Sequence, residues 1–186
     1  MILVVSGSPR RNGNTDYVCR VFIEEAEKLG RKTEFVRVAD YRIRPCVSCR
    51  ACLGRGECVI KNDDMSKLYS KLLAADAIVI VSPVYFNNVT AQLKAFMDRT
   101  WCLRGKLKDK VGGAIVVGRR YGHEAAVNAI ISFMLKHDMI LGMRGVVVFG
   151  YERGEAAKDH KGLEDVRKLA RRIDELLRKL NHTPTC

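Results

Sequence analysis

The segment SGSPRRNGNT, residues Ser6–Thr15, decides the fold because it joins an apolar strand to an amphipathic helix. The strand is Met1–Val5, and the helix begins where Asn14 can cap it and runs to about Leu29. Small hydroxyl residues and two glycines leave the backbone N–H groups of this turn accessible. The helix N-terminus adds the positive end of a dipole, so the turn is typical of a phosphate-binding loop.

Polar side chains on this turn are the predicted ligands of a phosphate group. Ser8, Asn14 and Thr15 can each donate a hydrogen bond to a phosphate oxygen, and a nearby arginine adds positive charge. An ordinary polar turn is the alternative. Two other nucleotide motifs fit poorly, since Asn14 replaces the lysine of a P-loop and the dinucleotide fingerprint is absent. The candidate cofactor ligands of this loop are Ser6, Ser8, Arg10, Asn12, Asn14 and Thr15.

Apolar runs and helical patterns continue to alternate along the 186 residues. The further predicted strands are Thr33–Val38, Ala77–Val81, Val111–Val117 and Val146–Phe149. The further predicted helices are about Asp64–Ala75, Thr90–Cys102, Glu124–His137 and Gly162–Leu180. This alternation predicts a single α/β domain, a doubly wound five-stranded parallel sheet with helices on both faces.

Three loops leave the predicted sheet at the carboxyl ends of its strands, where ligands bind in such folds. They are Ser6–Thr15, Ser82–Val89 and Gly118–Glu124. On the second loop two adjacent aromatics can flank a planar ring and asparagines can hydrogen-bond its polar edge, unless an aromatic packs on the core instead. The candidate residues on this loop are Ser82, Pro83, Val84, Tyr85, Phe86 and Asn87, and the third loop, with Gly118 and Gly122 as candidates, can complete the pocket.

Two motifs resemble the NAD(P)H-dependent FMN reductase superfamily, which has the flavodoxin-like fold. They are S-G-S-P-R-x-x-G-N-T at the first loop and S-P-V-Y-F after the third strand, and the resemblance spans about residues 1–150. It implies the strand order 2-1-3-4-5 and FMN, with the phosphate on the first loop and the ring between the second and third loops. It also implies a homo-oligomer, a dimer or a dimer of dimers, with flavins near the subunit interface.

The irregular segment at about 40–63 contains the motif Cys46-x-x-Cys49-x-x-Cys52-x5-Cys58. Four of the seven cysteines therefore lie within thirteen positions, which favours a metal in a cytosolic chain. Three cysteines at two-residue gaps can converge on one corner of a cubane, and the fourth can close it. Structural zinc and disulfides remain as alternatives.

The spacing of these four cysteines, inserted after the second strand of such a domain, resembles the iron–sulfur flavoproteins of anaerobic archaea and bacteria. That resemblance implies that Cys46, Cys49, Cys52 and Cys58 ligate a [4Fe–4S] cluster. The other three cysteines lie outside the motif, with Cys19 and Cys102 expected on helices and Cys186 in a loose C-terminal tail.

Together the two sites predict an oxidoreductase that takes electrons from a low-potential donor such as a ferredoxin-like carrier and passes them to a small acceptor. The net charge of +12 suits an acidic partner. No acid–base catalytic pair is expected, because the site residues hold and shape cofactors. The alternatives are an NAD(P)H-dependent FMN or quinone reductase without a functional cluster, and a redox-sensing binding module.

Composition and charge distribution exclude other classes of protein. The longest apolar runs, such as Val111–Gly118, are too short to span a bilayer, so no membrane association is expected. No basic segment with a cleavage site precedes the first strand, and we therefore expect a cytoplasmic location. Nucleic acid is disfavoured as a partner, since lysine and arginine are spread along the chain without a tail or a recognised motif.

Overall fold

A computed structural model describes residues 1–181, with side chains to Leu180, so that the predicted tail with Cys186 lies outside the described residues. Strands and helices alternate along this part of the chain. The elements are β1 (Ile2–Ser6), α1 (Asn14–Lys28), β2 (Thr33–Arg37), α2 (Met65–Ala74), β3 (Ala77–Pro83), α3 (Ala91–Arg99), β4 (Val111–Gly118), α4 (His123–Lys136), β5 (Ile140–Leu141), β6 (Val146–Phe149) and α5 (His160–Asn181).

The sheet has the predicted parallel order 2-1-3-4-5, which confirms the doubly wound flavodoxin-like topology. The sheet differs from the prediction at the edge beside β4, where two short strands, β5 and β6, take the place of the single predicted strand. β5 pairs with the start of β4, and β6 pairs with its end. Between them the chain passes close to α4, and a Cβ at Gly145 would lie 2.1 Å from Cγ1 of Val127. Only glycine, which has no side chain, allows this close approach.

Two predicted helix ends are wrong. The cap of α1 is Gly13, and the side chain of Asn14 makes no cap. Its amide instead donates to the carbonyl of Glu152 over 2.8 Å and accepts from the backbone N–H of Gly154 over 2.9 Å. The helix predicted to reach Cys102 ends at Arg99 and continues as a short 3-10 turn at Thr100–Leu103.

Apolar side chains cover both faces of the sheet. Leu3 and Val5 of β1 contact one buried cluster, which includes residues of α2, α3 and α4. Ile2 and Val4 point to the other face, where the cluster includes residues of α1 and α5. Strands covered on both faces read as continuous apolar runs, as these do. Polar groups are therefore concentrated in the loops at the ends of the strands.

Thr90 anchors the first loop to α3. Its fully buried hydroxyl donates to the carbonyl of Gly7 over 2.6 Å and accepts from the backbone N–H of Leu93 over 3.2 Å. A Cβ at Gly7 would lie 2.8 Å from Cδ2 of Leu93, so the loop and the helix approach at a distance that favours glycine. Thr90 is consequently both the cap of α3 and the anchor of the loop.

The substitution Thr90→Val should lower the free energy of unfolding by about 1–2 kcal/mol, because it removes a helix cap and leaves the carbonyl of Gly7 without its donor. Urea unfolding measures this change. Thr33→Val is the matched control, since its hydroxyl makes an exposed hydrogen bond to Glu27, and its effect should stay below about 0.5 kcal/mol. Equal losses in both variants would contradict the anchoring role.

Candidate functional site

A cleft of about 920 Å³ opens where the three predicted loops meet at the carboxyl edge of the sheet. Its size is that of a small-molecule or cofactor site. Ten of the predicted cofactor residues line it, namely Ser8, Arg10, Asn14, Thr15, Pro83, Val84, Tyr85, Phe86, Asn87 and Gly118. The fold thus brings residues distant in sequence to one surface.

Four predicted residues, Ser6, Asn12, Ser82 and Gly122, lie outside the lining of the cleft. Ser6 and Ser82 are fully buried, and the Ser82 hydroxyl donates to the carbonyl of Pro83 over 2.9 Å. Gly122 has φ of 81°, and a Cβ there would lie 2.4 Å from Cα of Asn87. In the described structure these residues shape the loops, and as cofactor contacts they stay predictions.

A fourth segment, Gly150–Arg153, also lines the cleft and was missed in the sequence. It follows β6 at the same edge of the sheet as the other loops. Asn14 fixes this segment to the start of α1 through the two hydrogen bonds described above. Its position directly after a predicted strand could have indicated this role, because the loop that follows each strand of a parallel sheet lies at this edge.

The wall of the cleft is strongly basic. Five arginines line it against one carboxylate, Glu152, and they are Arg10, Arg11, Arg119, Arg120 and Arg153. The start of α1 lies beside them, since Gly13 also lines the cleft. Arginines, hydroxyls and a helix N-terminus together form a donor set that fits a phosphate monoester such as that of FMN.

A buried ion pair holds the first loop from behind. The guanidinium of Arg37 donates to Oδ1 of Asp16 and to the carbonyl of Arg10, both over 2.8 Å. The second carboxylate oxygen of Asp16 accepts from the backbone N–H of Asn12 over 2.6 Å. Burial disfavours the charge of Arg37, but the hydrogen bond and charge of Asp16 outweigh it and raise the pKa of Arg37. The loop conformation therefore depends on this pair.

The second loop is a tight turn that exposes its aromatic residues. Tyr85 and Asn88 exchange backbone hydrogen bonds of 2.8 and 3.0 Å, with Phe86 and Asn87 between them at φ of 47° and 60°. Positive φ at both central positions defines a type I′ turn. Phe86 is fully exposed and Tyr85 is partly exposed, so neither aromatic packs in the core. Both are available to a planar ring.

The four cysteines of the motif lie on an irregular loop, residues 46–58, which we call the cysteine loop. Cys46 and Cys49 are exposed, whereas Cys52 and Cys58 are half-buried against the core. All four are free thiols, and within residues 1–181 no three Cys, His, Asp or Glu side chains are grouped closely enough to hold a metal. Their chemistry fits an iron–sulfur cluster, but their sulfurs are not gathered in this structure.

A fifth thiol lies beneath the cysteine loop. Cys102 is buried, and its thiol and the Tyr69 hydroxyl both donate to the carbonyl of Arg99, over 3.5 and 2.9 Å. Burial raises the pKa of the Cys52 thiol, and the nearby thiols of Cys102 and Cys58 raise it further. The motif therefore lies over a buried polar layer that the sequence pattern did not indicate.

Comparison with known proteins defines the class to which this fold and this cleft belong. Residues 1–154 match the family described as NADPH-dependent FMN reductase. The structure is similar to RosB in complex with a formylated riboflavin phosphate, with a TM-score of 0.82 at 20% identity over 99% of this chain and 81% of that one. It is also similar to the azoreductase AzrA, with a TM-score of 0.69 at 16% identity over 91% and 98%. The class is that of flavin-dependent oxidoreductases, with FMN as cofactor.

Curated relatives narrow this assignment. An iron–sulfur flavoprotein of Methanocaldococcus jannaschii is 38% identical over 95% of this chain and 97% of its own length. The iron–sulfur flavoprotein of Methanosarcina thermophila is 36% identical over 93% of each. The chain therefore belongs to the NADPH-dependent FMN reductase family and, within it, to the iron–sulfur flavoproteins. Among the helices described by the structure, none is long and apolar enough to cross a membrane.

The substitution Asp16→Asn should weaken FMN binding about tenfold, because it removes the charge that holds Arg37 and leaves the first loop less ordered. Quenching of FMN fluorescence during titration measures the dissociation constant. Asp174→Asn is the control, since this buried carboxylate also pairs with an arginine, Arg31, over 2.7 Å but lies away from the cleft. Unchanged FMN affinity in the Asp16 variant would contradict the role given to the pair.

Proposed function

We propose that this protein is an electron-transfer flavoprotein that binds FMN in the basic cleft and a [4Fe–4S] cluster on Cys46, Cys49, Cys52 and Cys58. It takes electrons from a low-potential one-electron donor such as a ferredoxin and passes them to a small acceptor. The observation that carries this proposal is the complete cysteine motif on a loop that follows β2, at the sheet edge where the cleft lies. The names of the relatives support it.

The two cofactors combine two kinds of electron exchange. When bound, FMN exchanges one or two electrons and a [4Fe–4S] cluster exchanges one. Two successive one-electron oxidations of the donor therefore supply the two electrons that reduce an acceptor such as a quinone or a peroxide. In this proposal a single chain of 186 residues binds both cofactors.

The chain contributes binding and electrostatics at the two sites. At the cysteine loop, Arg50 and Arg55 offset the negative charge of four thiolates, and the ammonium of Lys106 donates to the carbonyl of Gly56 over 3.2 Å. At the start of the cysteine-rich segment, Asp40 accepts from Arg11 of the first loop over 2.6 Å. This ion pair connects the loop proposed to bind the FMN phosphate with the segment that carries the cysteine motif.

The charge of the protein supports an acidic electron donor. A net charge of +12 steers an acidic carrier toward the surface and raises its association rate, an effect that falls with ionic strength. Exposed aromatic residues line the cleft, namely Phe86, Tyr121 and Tyr151. This apolar rim supports the expected homo-oligomer, in which a second copy covers the flavin.

An NAD(P)H-dependent FMN or quinone reductase is the second candidate. It is favoured by the five arginines of the cleft, which suit a further anionic ligand beside FMN. Rapid oxidation of NADPH by the FMN-loaded protein, at a rate that does not depend on its iron content, would favour this function over the first.

Anaerobically purified protein should contain about four irons, four acid-labile sulfides and one FMN per chain. The substitution Cys49→Ser should lower the iron and sulfide content severalfold while the FMN content stays unchanged, since the cleft does not include this residue. Colorimetric iron and sulfide assays and the flavin absorbance measure these contents.

Cys19→Ala is the matched control, because Cys19 is a buried free thiol on α1 outside the motif. It should retain the iron content of the wild-type protein. FMN without iron in the wild-type protein would contradict the cluster, and zinc on the cysteines would replace it with a structural metal site.

A further inference from the structure

The largest fully buried side chain of the described structure belongs to Arg99, the last residue of α3. Its guanidinium forms an ion pair with Asp63 in which both side chains are 1% exposed. It also donates to the carbonyl of Arg44 over 2.8 Å and to the carbonyl of Ile60 over 3.1 Å. Arg44 lies two residues before Cys46, and Ile60 lies two residues after Cys58. One side chain therefore joins the two ends of the cysteine loop.

The carboxylate of Asp63 also links the two ends of the cysteine loop. Its carboxylate accepts from the backbone N–H groups of Arg44 and Met65 over 3.0 and 3.1 Å. The same two stretches of chain are joined again by Arg42 and Asp64, which exchange hydrogen bonds of 2.8 and 2.9 Å. We call residues 42–44 and 60–64 the loop neck. It is closed by a dense set of directional hydrogen bonds.

The buried ion pair between Arg99 and Asp63 is better suited to fixing the positions of the loop ends than to stabilising the fold. A buried ion pair is frequently no more stabilising than apolar residues of similar size, since two charges must be desolvated. Burial raises the pKa of the Asp63 carboxyl, but the bonds from Arg99 and from the N–H groups of Arg44 and Met65 outweigh it and lower that pKa. Both groups stay charged, and their bonds fix the distance between the ends of the loop.

The tip of the cysteine loop contains backbone in an unfavourable conformation. Ser48 and Arg50 have φ of 52° and 58°, left-handed conformations that residues other than glycine seldom adopt. Gathering four sulfurs around one centre requires the tip to close, and the entropic cost of closure falls when the ends of the loop are already held together. The main chain of Arg99 also accepts from Cys102 and Tyr69, the layer on which the loop rests.

We propose that Arg99, acting with Asp63, is a positioning residue for the metal centre, which holds the loop neck so that Cys58 closes the ligand set begun by Cys46, Cys49 and Cys52. This inference rests on the proposed function. It adds a determinant outside the cysteine motif, since Arg99 lies 41 positions after Cys58 in the sequence. Its effect is on retention of iron, whereas the cleft for FMN contains neither Arg99 nor Asp63.

The test measures the rate at which a chelator removes iron from the anaerobically loaded full chain, together with the FMN content and the electron paramagnetic resonance spectrum of the reduced protein. Arg99→Met should lose iron at least tenfold faster than the wild-type protein and retain its FMN. Arg99→Lys should lose iron more slowly than Arg99→Met, because the lysine keeps the positive charge beside Asp63. It should still lose iron faster than the wild-type protein, because an ammonium cannot donate to both ends of the loop as the guanidinium does. Asp63→Asn should also lose iron faster than the wild-type protein. It replaces Arg99→Met as the test variant if Arg99→Met does not fold.

Arg31→Met is the matched control, since it removes an arginine that pairs with Asp174 of α5, which packs on the other face of the sheet from α3. It should lower the free energy of unfolding without changing the rate of iron loss or the spectrum. Iron loss at the wild-type rate in Arg99→Met, or in Asp63→Asn if Arg99→Met does not fold, would overturn the positioning role, as would equal acceleration in Arg31→Met. A wild-type protein that binds FMN but no iron would overturn the proposed function itself, and the inference with it.

Discussion

Burial of the parallel sheet on both faces is the constraint on which the rest of the molecule depends. The strands contribute apolar side chains to two separate clusters, so no face of the sheet is left for polar chemistry. Loops at the carboxyl edge are then the place where charged and hydroxyl groups can be grouped. The first, second and third loops and the segment after β6 meet there and form the basic cleft.

Each of the two loops assigned to a cofactor is held at its base by a buried arginine–aspartate pair. Arg37 pairs with Asp16 behind the first loop, and Arg99 pairs with Asp63 at the neck of the cysteine loop. Arg37 also donates to the carbonyl of Arg10 in the first loop, and Arg99 to the carbonyls of Arg44 and Ile60 at the ends of the cysteine loop, which an apolar contact cannot do. Directional bonds of this kind specify a loop conformation, which a site for a cofactor requires before binding.

The sequence predicted the features that short motifs carry. The strand order and three of the four cleft loops were accessible because strand, turn and helix signals lie next to each other, as at Ser6–Thr15. The segment Gly150–Arg153 and the Arg99–Asp63 pair were not accessible, since they depend on contacts between residues far apart in the chain. The local sequence favours Asn14 as a helix cap, but its side chain instead bonds to residues 152–154, which are far away in the chain.

Reductive titration of the anaerobic, loaded protein with reduced ferredoxin tests the central claim most directly. The count of electrons taken up per chain distinguishes a protein with two redox centres from one with a flavin alone. Two electrons for FMN and one for a [4Fe–4S] cluster predict uptake of about three electrons per chain, with a paramagnetic signal from the reduced cluster. Uptake of about two electrons per chain without such a signal would contradict the account.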